Sequence, residues 1–359
     1  MVNLSKNKRI QSFDIARTFA IMCVVLCHSV ETAYSNINYT RLSNISQILR
    51  IVFFTVGRLG VPIFLFLTGA LTLKKQIEND EDVNTFYKKN LLPLFITIEI
   101  WNVLYNMFLV IMNQQFNVIN FLKDILFLKK VNLPNMWYMP MILGMYLAIP
   151  FIAKIVKTFT LKTIKTPMVL VFISSVLLPS INILLSGLKL EQCKIILNFS
   201  FLGGVYGLYI LLGHYINKGL LKKCSNIFLI ITIIICFIVT CIFQYLMYEM
   251  EVEYNVWYDF ITLFACSICV FELFIRIKDR SDKNNFIKMT EYISKISLGL
   301  FFVHIIFLEI LVKFTERVAI NNPIESIILF ILATICSIVF VYITSKIKFV
   351  KEKVFLIKD

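Results

Sequence analysis

Apolar residues in this chain do not alternate with polar ones, nor do they recur only at helical spacing; they come in long, nearly unbroken runs. A helix that is apolar all round is buried on every side, by lipid or by other helices. Spanning a bilayer core takes about 20 such residues. Ten stretches qualify, at roughly 13–32, 51–73, 90–112, 134–153, 167–188, 195–216, 225–247, 256–275, 296–312 and 323–345. The pattern predicts an all-α, polytopic integral-membrane helical bundle of about ten spans. The run at 116–128 is too short to cross and predicts an interfacial or re-entrant helix. The longest polar stretch, about 276–295, is too short to fold alone. A single transmembrane domain is therefore expected over 1–359, with its core at about 10–345 and no appended soluble domain.

The positions of Lys and Arg give these spans a direction. With the N-terminus placed in the cytoplasm, the inside segments hold 25 of the 36 Lys and Arg residues and the outside segments hold 9. Arg17 and Arg58 lie within spans. Ten spans then put both termini in the cytoplasm of a cell whose plasma membrane holds the protein. The formal net charge of +14 reads mostly as a topology signal and an attraction to anionic membrane lipids. No basic soluble domain exists to bind nucleic acid.

Composition agrees. Hydrophobic residues make up 58% and charged residues 16%, against about 45–50% and about 25% in an ordinary soluble domain. Disordered, collagen-like and disulfide-scaffold classes are excluded. The first apolar run contains Arg17 and His28 and is followed by no small-residue cleavage site, so it is not a signal peptide. The nine cysteines show no metal-ligand spacing; Cys266 and Cys269 form C-x-x-C only inside an apolar helix. No metal and no tightly bound cofactor is expected.

Candidate chemistry rests on the few ionisable groups inside spans, each of which costs about 2.5–3.5 kcal/mol to insert. Arg17 and His28 stand about three helical turns apart, which puts them on one face separated by about 16 Å. A snorkelling arginine and a hydrogen-bonded core histidine are the bland alternative. Arg58 sits near mid-membrane, among Gly57, Gly60 and Pro62. It needs a carboxylate, a carbonyl cluster or a bound anion. A structural ion pair with Glu99 is one option. Glu99, flanked by Trp101 and Asn102, is otherwise a proton-transfer candidate. His304 is either a site residue or a packing one, and Glu309 is a weaker candidate. Trp137 and Tyr138 open a span; they form an interfacial aromatic belt or a wall that stacks on a sugar ring. GGVYGLYILLG at 203–213 predicts close helix packing.

Four segments carry a family likeness. FDIARTFAIMCVVLCH resembles the opening of the membrane acyltransferase 3 family, with Asp14, Arg17 and His28 on its Asp-x-x-Arg and Arg-x10-His pattern. GRLGVPIFLFLTGALTLKK is similar to its second span at Arg58, Val61, Pro62, Phe64, Thr68 and Gly69. WYMPMILGMYLAIPFI and SLGLFFVHIIFLE resemble two later spans, the last with His304. Met139 and Phe302 stand where Leu and Tyr are common in the family. The resemblance implies O-acyl transfer, usually of acetyl from cytoplasmic acetyl-CoA or another acyl-CoA. The acceptor it implies is a sugar hydroxyl on a cell-surface glycan or its lipid-linked precursor. On that reading His28 and Arg58 are catalytic. Arg17, Glu99, Asn102, Trp137, Tyr138 and His304 bind substrates. Two other classes remain open: a glycan-export component or transporter, and a binding domain of the same fold without acyl transfer.

Overall fold

The computed structural model describes residues 9–35, 43–112, 115–129, 133–194, 203–279, 281, 284–315 and 322–357. Every regular element among them is helical. In chain order these are α1 (Gln11–Ala33), α2 (Asn44–Arg58), α3 (Gly60–Thr72), α4 (Asp80–Phe86), α5 (Leu92–Ile111), α6 (Val118–Ile125) and α7 (Tyr138–Thr158). They are followed by α8 (Leu161–Phe172), α9 (Leu178–Gly187), α10 (Gly204–Asn217), α11 (Asn226–Glu249), α12 (Ile261–Ile275), α13 (Asn285–Thr315) and α14 (Asn322–Thr344). Widened π turns at Tyr87–Leu91 and Ile173–Leu177 join α4 to α5 and α8 to α9 into continuous rods. Each π turn lies just before a proline, Pro93 or Pro179. A proline has no N–H for the carbonyl four residues back, here Lys89 or Ser175, and the widened turn absorbs that mismatch.

Eight helices among the described residues are long and apolar enough to cross a membrane. Two of the ten predicted spans are shorter than expected. The stretch predicted at 195–216 is helical over Gly204–Asn217, 14 residues, and 195–202 lie outside the described residues. The stretch predicted at 256–275 is helical only over Ile261–Ile275, 15 residues, about 22 Å at 1.5 Å per residue. Residues 252–260 are a loop instead. The short run predicted at 116–128 is the eight-residue α6, capped by the Asn117 side chain.

The helix α1 is the hub. It packs against α13, α2, α14, α3 and α12, and Ala16, Ala20 and Ile21 on it are fully buried. Glycines set its distance to α2 and α3. A Cβ on Gly57 would meet the Cys27 backbone at 2.7 Å, and one on Gly60 would meet the Ala20 carbonyl at 2.6 Å. The predicted close packing at 203–213 is found between α3 and α10, where Gly69 lies against the Ile210 carbonyl and Gly213 against that of Phe66. By contrast, α11 and α14 leave rows of Ile, Phe and Val exposed, as lipid-facing helices do. After α14 the chain turns back. Trp101 Nε1 donates to the Val354 carbonyl at 2.9 Å and Thr97 Oγ1 to that of Lys353 at 2.6 Å.

Candidate functional site

The helix break at Leu59 builds the site. Pro62 cannot donate to the Arg58 carbonyl, so the α-helical ladder stops there, and α2 gives way to α3 across Leu59. The glycine contact with Cys27 brings this end of α2 against the last two turns of α1. His28 and Glu31 stand three residues apart on α1, where side chains share a face.

These groups form one connected set. His28 Nδ1 lies 2.7 Å from Glu31 Oε2, and an Arg58 Nη donates to Glu31 Oε1 at 3.2 Å. The other Arg58 Nη donates to the Tyr258 hydroxyl at 3.2 Å. A carboxylate at Glu31 can only accept, so Nδ1 of His28 carries the hydrogen, and when the ring is neutral Nε2 is the nitrogen that can take a proton. The Arg58 guanidinium carbon lies over the rings of Phe54 and Trp257, 4.4 Å from each centroid. Such cation–π contacts contribute about 0.5–2 kcal/mol apiece and fix the plane of the fork. Arg58 Nε is buried without a partner. His304 packs its ring 5.4 Å from that of His28. Its Nδ1 donates to the Leu300 carbonyl at 2.9 Å, leaving a buried Nε2 unpartnered.

A cavity of about 620 Å³ opens onto this set. His28, Glu31 and Thr32 of α1 line it with Ser35 just beyond that helix, with Arg58, and with Trp137 and Trp257. Pro134 and the end of α13, with Glu309, Val312 and Lys313, complete it. The Trp137 and Trp257 rings lie 5.1 Å apart, and Trp137 stacks on Tyr258 at 5.6 Å. Asn135 pins the segment before Trp137 to α13 and α5, donating to the Phe301 carbonyl at 3.2 Å and the Tyr105 hydroxyl at 2.9 Å.

The structure brings together His28, Arg58, Trp137 and, behind His28, His304. It sets the other candidates apart. Arg17 lies about 16 Å from His28 along α1 and donates to Ser294 Oγ at 3.3 Å. Beside it Asp14 accepts from Ser294 at 2.6 Å and from Arg9 Nε at 2.5 Å, and this bond to Asp14 raises the Arg9 guanidinium above its ordinary value. Glu99 is not the partner of Arg58; the carboxylate on Arg58 is Glu31. Glu99 instead accepts from Asn102 at 3.4 Å, on a face of α5 away from the cavity. Trp101, beside Glu99 in sequence, lies flat on Phe302 at 4.8 Å. Tyr138 is buried against Phe301 at 5.6 Å and does not line the cavity. Sequence reasoning missed Glu31, Trp257 and Tyr258. The spacing of Glu31, one turn after a buried histidine, was the available signal for the first.

No group of three or more His, Cys, Asp or Glu that could hold a metal ion is found among the described residues. The arrangement offers an oriented imidazole base, a buried fixed cation and an aromatic-walled pocket. These are the parts that acyl transfer to a hydroxyl needs. No curated protein and no solved structure gives a significant match. A family model described as an acyltransferase domain does match, over residues 10–344. With nearly the whole chain and all of the cavity-forming helices inside that match, the protein belongs to the acyltransferase 3 family and is a membrane acyltransferase.

Proposed function

We propose that the protein transfers an acyl group, acetyl in the first instance, from cytoplasmic acyl-CoA to a sugar hydroxyl of a cell-surface polysaccharide or its lipid-linked precursor. The observation that carries this reading is the bonded set His28–Glu31–Arg58 at the wall of one cavity. The acceptor hydroxyl gives its proton to His28 Nε2 as its oxygen attacks the thioester carbonyl. Glu31 holds the imidazole in the required tautomer and offsets the imidazolium that forms. Arg58 faces the charge that develops on the carbonyl oxygen. Collapse of the intermediate breaks the carbon–sulfur bond, and the proton held on His28 leaves with the thiol of CoA. Trp137 and Trp257 offer flat faces to a sugar ring.

The charge bias puts the cavity end of α1 outside and Arg17 towards the cytoplasm, where a guanidinium can meet the phosphates of the donor. Donor and acceptor then approach from opposite faces of the plasma membrane, and both termini are cytoplasmic. The test is the alkali-labile acyl content of the surface glycan in cells carrying the wild-type protein or His28→Ala at equal membrane levels. Loss of acylation in the variant supports the reading; unchanged acylation removes His28 as the base.

A further inference from the structure

The loop at 252–260 touches α2 at three places, and the middle one runs through a side chain that takes no part in the chemistry above. Arg50 donates to Asn255 Oδ1 at 3.0 Å. Arg58 donates to the Tyr258 hydroxyl at 3.2 Å. Between them Gln244 of α11, 3% exposed, bonds in three directions. Its Nε2 donates to Thr55 Oγ1 of α2 at 2.8 Å and to the Thr240 carbonyl at 3.2 Å. Its Oε1 accepts from the Val256 backbone N–H at 3.1 Å. Thr55 stands three residues before Arg58, and Val256 stands immediately before Trp257, whose ring covers the Arg58 guanidinium. The Tyr258 carbonyl is held from the far side by the Tyr209 hydroxyl at 2.8 Å.

A buried amide with both its ends satisfied is costly to remove, because the Val256 N–H is left unpaired in a dry interior and Thr55 keeps only its bond to the Ile51 carbonyl. Here those partners are the helix that carries Arg58 and the loop that carries its two covering rings. The structure assigns Gln244 as a positioning residue for Arg58: it latches the 252–260 loop onto α2, so that Trp257 and Tyr258 clamp the guanidinium in one orientation. The inference rests on the role proposed for Arg58. A misplacement of about 1 Å in a reacting group can cost on the order of 10²-fold in rate.

The test compares Gln244→Leu, which keeps the bulk and loses the bonds, with Gln244→Glu, whose carboxyl keeps an acceptor for the Val256 N–H. Thr55→Val serves as a gentler second variant should Gln244→Leu fail to reach the membrane. Two readouts are used on the full chain: alkali-released acetate from surface glycan per unit of membrane protein, and acrylamide quenching of Trp257 in a background carrying Trp101→Phe and Trp137→Phe. The expected result is a loss of at least about 10-fold in transfer for Gln244→Leu, partial recovery in Gln244→Glu, and increased Trp257 quenching in Gln244→Leu and Thr55→Val. A Gln244 that only supports folding would lower protein level while leaving transfer per molecule and quenching unchanged, and that result overturns the assignment. Arg58→Ala separates the two readings. If it retains transfer, the proposed function of Arg58 fails; if it abolishes transfer while Gln244→Leu is fully active with an unmoved Trp257, only the latch fails.

Discussion

At the scale of residues, buried charge decides the account. A guanidinium that cannot be neutralised must be held, and the holder is Glu31, which also orients His28. Losing a positioned base costs about 10²–10⁴-fold, so His28→Ala should reduce initial rates of glycan acylation by that range at normal protein level. Glu31→Gln should be comparably damaging. An amide both releases Arg58 and can donate to Nδ1, which reverses the tautomer and removes the basic Nε2; initial rates and membrane levels measured together check this. Arg58→Lys should fall close to Arg58→Ala, because an ammonium lacks the planar fork that reaches both Glu31 and Tyr258 beside the Phe54 and Trp257 rings. Removing Glu99 in an Arg58→Ala background should restore neither folding nor activity, since the two side chains are not paired. His28 and Arg58 were legible in the sequence because each is an expensive group in an apolar run. Glu31 was not, because it stands near a span end, where a carboxylate needs no explanation until a partner is seen.

At the scale of elements, glycine contacts and a proline fix how α1 and α2 meet. A side chain on Gly57 would drive into the Cys27 backbone, which cannot move away as a flexible side chain could. Gly57→Leu should lower the thermal unfolding midpoint in detergent, with a cost on the order of 1–3 kcal/mol from overpacking, and should abolish transfer by parting Arg58 from Glu31. Gly144→Ala on α7, where a Cβ would meet nothing within 4 Å, should leave the midpoint unchanged or slightly raised. Close packing at 203–213 could be foreseen from its glycines, although the apolar run at 51–73 reads as one span across Pro62 where the structure has a break at Leu59. The 252–260 loop could not. Val256, Trp257 and Phe260 prolong the apolar run of α12, and hydropathy cannot register that Gln244 and Tyr209 hold this backbone outside a helix.

At the scale of the whole molecule, the 25-to-9 division of Lys and Arg implies a direction for acyl transfer. With the nine native cysteines replaced, single cysteines at Glu81 and Asn284 should react with a membrane-impermeant maleimide only after permeabilisation. Those at Lys189 and Glu251 should react in intact cells. The reverse pattern would place the cavity on the cytoplasmic side and remove the need for the acyl group to cross. The all-helical membrane bundle was visible from apolar run length, although eight rather than ten helices among the described residues are long and apolar enough to cross; the cavity was not visible, because it depends on a short α12, a loop and a helix break that together leave room at one end of α1. The proposed role of His28, oriented by Glu31 and backed by Arg58, is to place acyl groups on a surface glycan. The most direct measurement is mass spectrometry of that glycan from cells lacking the gene, complemented with the wild-type chain or with His28→Ala. Acylated sugars are expected with the wild type and none in the other two. Acylation equal in the absence and presence of the wild-type chain, or undiminished with His28→Ala, would contradict it.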